Sequence, residues 1–224
     1  MILNRFFLLV LLFSCSFFST PLRAETIHYS IRQMGYDGEA TLSKVGPKEF
    51  KGLKTVLIVF RASGPNFTDE ENIYLDPLSY KPLFVERDFN FGVLGQGKTL
   101  EDYVSSKGEI LIAKTDGDSV THQVINNAGP VDNIYGFIYR YRKQGSFKIG
   151  DVLDMNLPTR ELKIRLARRV KIKIAGKDYD SYYMQSQPGS YKIWFDASKR
   201  KLPLRITGTI SFFNSVMTMT GYED

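Results

Sequence analysis

From residue 27 onward the chain alternates apolar and polar positions with period two. Ile27, Tyr29 and Ile31 alternate with His28, Ser30 and Arg32. Residues 55–60 form a β-branched, apolar run of the kind a buried strand carries. Ile110, Leu111, Ile112 and Ala113 follow the turn-like Lys107-Gly108-Glu109. Tyr191, Ile193 and Phe195 alternate around Lys192 and Trp194, Leu204 and Ile206 precede Gly208 and Ile210 with one parity, and 216–220 is a further β-rich run. Clusters such as Gly64-Pro65-Asn66 and Ala175-Gly176-Lys177-Asp178 separate these runs. Short strands punctuated by turns predict an antiparallel sandwich, roll or barrel. The acidic Asp69-Glu70-Glu71 within 68–72 reads as a solvated loop.

The longest alternation covers 162–174. Leu162, Ile164, Leu166, Val170, Ile172 and Ile174 fall on even positions, and Lys163, Arg165, Arg169, Lys171 and Lys173 on odd ones. Strand side chains point to opposite faces in turn, so this pattern predicts one oily face and one face bearing five cations. At about 3.3 Å per residue the strand spans roughly 40 Å, long enough to need a coil or a bulge. Arg168 breaks the parity and marks the expected bulge.

One helix is predicted at 130–142. Gly129-Pro130 opens it, Ile134, Phe137, Ile138 and Tyr141 recur at helical spacing, and Lys143 and Gly145 mark its exit. Asp132 is expected in the first turn, where the helix dipole favours a carboxylate.

The N-terminus changes the picture of where this domain works. Arg5, an apolar stretch from Phe6 to Phe13 extended by Phe17 and Phe18, a break at Ser19-Thr20-Pro21 and the small Ala24 follow the order of a secretory signal. Residues 1–24 are therefore read as a signal peptide, with 25–224 a single exported, periplasmic-type domain. The apolar run falls short of the roughly 20 residues of a membrane span, and no later segment approaches that length. A rival reading places a lipid anchor on Cys15, within Leu12-Phe13-Ser14-Cys15. Cleavage after Ala24 removes the only cysteine, so the domain must hold itself by core burial, for which 13% aromatic residues supply material. Cleavage also removes Arg5 and Arg23 and no acid, taking the net charge from +6 to +4. That mild excess suits anionic surfaces, and export disfavours nucleic acid as partner.

The order of features beyond the predicted helix is familiar. Residues 132–142 (DNIYGFIYRYR) are followed by Gly150-Asp151, the basic strand, Gly176, then Ile193-Trp194-Phe195-Asp196 and Leu202-Pro203-Leu204-Arg205-Ile206. Upstream, Tyr29, Gly38-Glu39-Ala40, Leu75-Asp76-Pro77 and Pro82 suit the same pattern. In these segments the chain resembles the bacterial exported family called domain of unknown function 3108. The resemblance implies a curved antiparallel sheet and export, and it carries no activity or catalytic residue. Asn214-Ser215 stand where that family usually has a glycine after its last turn.

Candidate chemistry is sparse. His28 and His122 are the only histidines, and no Gly-x-Ser-x-Gly elbow accompanies them, which argues against a His-dependent nucleophile. Two isolated histidines cannot supply a zinc site, and Asp116-Gly117-Asp118-Ser119 lacks the later carboxylates of a calcium loop. No metal or cofactor is therefore expected. Glu86, Asp88, Glu101 and Asp102 could pair in space for glycoside chemistry, although nothing in their spacing selects them. Gly92, Gly95 and Gly97 lack the phosphate-binding fingerprint and read as a turn.

These readings combine into an all-β, strongly curved antiparallel sheet or partial barrel, with one packed helix near 130–142. The expected function is non-catalytic binding of a lipid or other amphiphilic or anionic envelope component. Its surface candidates are Lys163, Arg165, Arg169, Lys171 and Lys173. A structural or interaction module of an envelope assembly is the alternative, with a carboxylate-based hydrolase of envelope polymer behind it. The sheet's concave side is expected to be filled either by the helix and loops or by a ligand.

Overall fold

The computed structural model describes residues 24–104, 109–126, 129–210 and 213–224. Residues 1–23 of the predicted export signal, Cys15 included, and the Lys107-Gly108 part of one predicted turn lie outside them. The strands are β1 Glu25–Gln33, β2 Tyr36–Phe50, β3 Leu53–Gly64, β4 Phe67–Leu75, β5 Pro82–Asn90, β6 Gln96–Asp102, β7 Glu109–Asp116, β8 Ser119–Asn126, β9 Val152–Leu157, β10 Arg160–Ile174, β11 Lys177–Gln187, β12 Lys192–Asp196, β13 Pro203–Ile210 and β14 Phe213–Glu223. All fourteen join one antiparallel sheet in the order β8-β7-β6-β5-β4-β3-β2-β1-β14-β13-β12-β11-β10-β9. Every neighbour pair except β1–β14 is consecutive in sequence, so the fold is a meander closed through its two terminal strands and left open between β8 and β9. The curvature is strong enough that β10 comes near β14 across three intervening strands. No helix among the described residues is long and apolar enough to cross a membrane.

Turn chemistry fixes the hairpins. Ala175 and Gly176 at φ 47° and 81° supply the left-handed pair that a two-residue β10–β11 turn requires. The period-two pattern then puts alternate side chains into the core: Ile27, Tyr29 and Ile31 are buried, as are Leu42, Phe60, Ile193, Phe195, Ile206 and Met217. This buried set defines the inner face of the sheet.

The one α-helix among the described residues, α1 Ile134–Gln144, lies in the connection between the two free edges. It begins four residues later than the pattern predicts. Asn133 caps it, its side chain accepting from the backbone N–H groups of Tyr135 and Gly136 at 2.9 and 3.3 Å. Seven of its residues are buried, Tyr135, Gly136 and Tyr139 as well as the predicted Ile134, Phe137, Ile138 and Tyr141. Its first two turns are buried nearly all round because protein surrounds them, while Lys143 and Gln144 at its end are exposed. Tyr135 stacks on Phe60 of β3 at 4.8 Å, while Tyr141 meets Phe195 of β12 at 5.8 Å. Of the two occupants considered for the concave side, α1 is the one that fills it. Gly136 permits the fit, since a Cβ there would stand 2.9 Å from the Tyr80 carbonyl oxygen and 3.1 Å from Leu75.

Two local expectations, for Asp132 and for the acidic run, are corrected. Asp132 precedes the helix instead of sitting in its first turn. It is 2% exposed and bridges Lys81 and Arg140 at 2.7 and 2.8 Å, so ion pairing and not the dipole holds it. Gly145 ends α1 where the sequence places the exit, at φ −68°, and its lack of a side chain serves close packing on Tyr141. The acidic run 69–71 is no loop but the middle of β4. Asp69 and Glu71 turn inward and meet Arg87 of β5, which donates to Asp69 at 2.7 and 2.9 Å and lies 3.6 Å from Glu71. A cation from the neighbouring strand makes that burial tolerable, and composition alone cannot reveal such a partner.

Candidate functional site

The long basic strand departs most from its sequence pattern. The β10–β11 register shifts between Leu166 and Arg168, leaving Ala167 as the extra residue of a bulge. Residues directly opposite in an antiparallel pair share a face. Leu166 pairs with the buried Met184, placing it on the inner face; Lys163 and Arg165, opposite Gln187 and Gln185, are therefore outward. Beyond the bulge the parity inverts. Arg168 pairs with Tyr183 outward, while Arg169, Lys171 and Lys173 pair with Tyr182, Asp180 and Asp178 on the continuation of the inner face.

The expected single stripe of five cations is thus divided. Arg169, Lys171 and Lys173 stay exposed on the hairpin end. Two of them stand directly opposite carboxylates, and Arg169 lies 3.8 Å from Asp180. Ile172 and Ile174 remain buried although their parity has changed sides.

The same bulge assembles a different patch on the outer face. Its first row is Asp154, Lys163, Gln187; its second is Arg165, Gln185, Lys192, Thr207; its third is Arg168, Tyr183, Trp194, Arg205, Thr218. Five cations therefore surround one tryptophan and one tyrosine. Asp154 is the only carboxylate in these rows, and Glu161 and Asp196 border them. The aromatic centre is built: Tyr183 and Trp194 lie 4.9 Å apart, Arg168 sits 5.3 Å over the Tyr183 ring, and Arg205 sits 5.9 Å over the Trp194 ring. Each such cation–π contact is worth about 0.5–1 kcal/mol at an exposed site, and the Arg205 Nε also donates to the Thr218 hydroxyl at 3.3 Å. Burial pushes the Tyr183 phenol up and the Arg168 charge pulls it partly back, while its hydroxyl donates to Gln185 at 3.0 Å. Lys163 and Arg165 were legible as candidates. Arg168, Lys192 and Arg205 were missed, because only the register brings them together.

A second outer-face feature lies on the other half of the sheet. Strands β2–β7 form a trough of about 880 Å³. The row Thr41, Arg61, Glu70, Asp88, Lys98, Thr115 crosses it. Arg61 donates to Glu70 at 2.8 and 3.1 Å, and Lys98 lies 2.8 Å from Asp88. Glu86 accepts from the Tyr74 hydroxyl at 2.9 Å. A smaller hollow of about 250 Å³ adjoins it, sharing Leu100 and lined by Asp102, Leu111, His122 and Val124.

Of the carboxylates considered for hydrolysis, Glu86 and Asp88 share the trough, Glu86 bonded by the Tyr74 hydroxyl and Asp88 paired with Lys98. Glu86 and Asp88 face outward in the trough, Asp102 faces outward near Lys51 at 3.7 Å, and Glu101 faces inward. Burial holds the Glu101 carboxyl above the ordinary range, against the Tyr103 hydroxyl bonded to it. Among the described residues no group of three His, Cys, Asp or Glu side chains is placed to hold a metal ion. His28 pairs with Glu223 at 3.2 Å, and His122 lies on the edge strand β8, far along the sheet from it.

Comparison with known proteins adds the fold alone. No family model matches the chain, and no curated protein matches it. Among solved structures, it is similar to a beta-barrel-like protein of domain of unknown function DUF1849 from Brucella abortus, with a TM-score of 0.51, 7% identity, and coverage of 91% of this chain and 98% of that one. The two therefore share the architecture of a curved, barrel-like antiparallel sheet.

Proposed function

We propose that the protein is an exported, non-catalytic binding module for an anionic component of the cell envelope, and that the outer patch on β10–β13 is its contact surface. The reading as a relative of the domain of unknown function 3108 family, and the export it implies, belong to the same proposal. One observation carries it: Lys163, Arg165, Arg168, Lys192 and Arg205 gather around Trp194 and Tyr183 on one face. With α1 in the concavity, the ligand is met on the surface instead of being swallowed. Guanidinium groups laid on aromatic rings present planar donors to phosphate or carboxylate oxygens. Each cation near an anionic surface contributes about 1 kcal/mol, weakened by salt.

The test is sedimentation with phosphatidylglycerol vesicles, with phosphatidylcholine vesicles and a soluble sulfated glycan as separate arms. Reversing Arg165, Arg168 and Arg205 to Glu should weaken binding to the anionic arm by at least about 100-fold at low salt. Reversing Lys171 and Lys173, which face Asp180 and Asp178, should change it little. Equal loss from both sets, or no binding in any arm, would overturn the assignment.

A further inference from the structure

The sheet ends in two edge strands, β8 and β9, and the chain treats them differently. An unpaired edge is normally guarded by charged side chains, proline, a bulge or a covering segment. β9 has such guards. The Asn156 carbonyl accepts from the Asp132 N–H, and the Asn156 N–H donates to the Asp132 carboxylate at 3.1 Å. Asp154 adds a charge to the same strand. β8 has no guard among the described residues. Its sequence, SVTHQVIN, contains no lysine, arginine, carboxylate or proline, and its ladder to β7 runs without a register shift. Seven of its eight residues are exposed, Val120 and Val124 at 54% each.

The pattern of β8 matches itself. Val120, His122 and Val124 stand opposite Thr115, Ala113 and Leu111 of β7, so all three lie on the outer face, with Thr121 and Gln123 on the other. A two-fold axis normal to the sheet would set β8 of one copy antiparallel to β8 of the next and keep the outer faces on one side. Residues directly opposite then have to share a face, so the axis must pass through a residue position and not between two. With the axis at His122, Val120 stands opposite Val124 of the second copy, Val124 opposite Val120, and Thr121 opposite Gln123. Moving the axis to Thr121 or Gln123 sets each valine against Asp118, His122 or Asn126 instead. Only the His122 register therefore pairs apolar with apolar, over a ladder of about 27 Å. Pairing β8 with β9 of another copy would build an open filament, and the Asp132 cover on β9 stands against it.

We propose that β8 is a self-pairing edge, through which two copies of the chain join their sheets across a two-fold axis at His122. The test is the mass of the full chain by light scattering over a dilution series. The parent should have the mass of two chains at the concentrated end. His122→Lys sets two ammonium groups opposite each other on the axis, and His122→Glu sets two carboxylates there. Each variant alone should have the mass of one chain at that concentration. An equimolar mixture should restore the mass of two, because lysine then meets glutamate, and that rescue also shows both variants to be folded. Val152→Lys, at a 56% exposed position of the β9 edge, should leave the parent mass unchanged. A parent that stays a single chain throughout, or grows beyond two, would overturn the proposal. So would variants that still pair alone, a mixture that does not pair, or dissociation caused by Val152→Lys.

Discussion

Replacing Phe137 by Ala tests whether α1 is a structural plug. Phe137 is 1% exposed in the middle of the helix, its ring parallel to that of Tyr141 at 6.2 Å and beneath the Arg140 guanidinium at 5.5 Å. A buried aromatic side chain removes about 150–250 Å² from water, and at about 25 cal/mol per Å² its complete loss costs about 4–6 kcal/mol. The Cβ that Ala retains lowers this and the cavity left behind raises it, which leaves the roughly 3–5 kcal/mol typical of Phe→Ala in a core. That is a large share of the roughly 5–15 kcal/mol by which domains are stable. Urea denaturation followed by far-UV circular dichroism reads the change. Leu78→Ala, at a position 81% exposed, is the control and should stay within about 0.5 kcal/mol of the parent. A Phe137→Ala cost below about 1 kcal/mol would mean that α1 does not sit in the concavity.

Arg87→Met should cost about 3–5 kcal/mol in the same assay, because it leaves Asp69 and Glu71 buried without their main counter-charge; a neutral outcome would contradict the inward placement of the acidic run. Asn133→Ala should cost about 1 kcal/mol by removing the cap of α1. Burial raises the phenols of Tyr29, Tyr135 and Tyr139 above their ordinary value of 10.0. Their folded state holds the proton more tightly than the unfolded state, so this stability is complete below about pH 10 and is lost as pH rises further. Three such groups give a slope of roughly 4 kcal/mol per pH unit there, seen as a falling urea midpoint with tyrosinate appearing only on unfolding. Tyrosinate forming before the fold is lost would contradict their burial.

Strand periodicity made most of this fold legible. Ile27, Tyr29, Ile31 and the 191–195 alternation are buried with the parity their sequence implies. The spacing of Ile134, Phe137, Ile138 and Tyr141 located the helix. Arg168 flagged the bulge to within one residue of Ala167. The consequence of that bulge was not legible, because a parity count assumes an unbroken ladder. One extra residue carries Arg169, Lys171 and Lys173 to the opposite face and brings Arg168 to Lys163 and Arg165. The rows that join Arg168 to Trp194 and Arg205, or Arg61 to Asp88 and Lys98, depend on strand pairing. No single stretch of sequence contains that information. Asp69 and Glu71 misled for a related reason: their counter-ion, Arg87, lies on another strand.

The central claim is that α1 occupies the concave side and leaves binding to the outer face. Single cysteines test it directly, since Cys15 is the only native thiol and can be changed to serine. Cysteines placed at Ile138, 0% exposed on α1, and at Gln187, exposed on the basic patch, should react with a thiol reagent in the native state at rates differing by on the order of 10³-fold or more, Gln187→Cys being the faster. Comparable rates at the two positions would contradict the account.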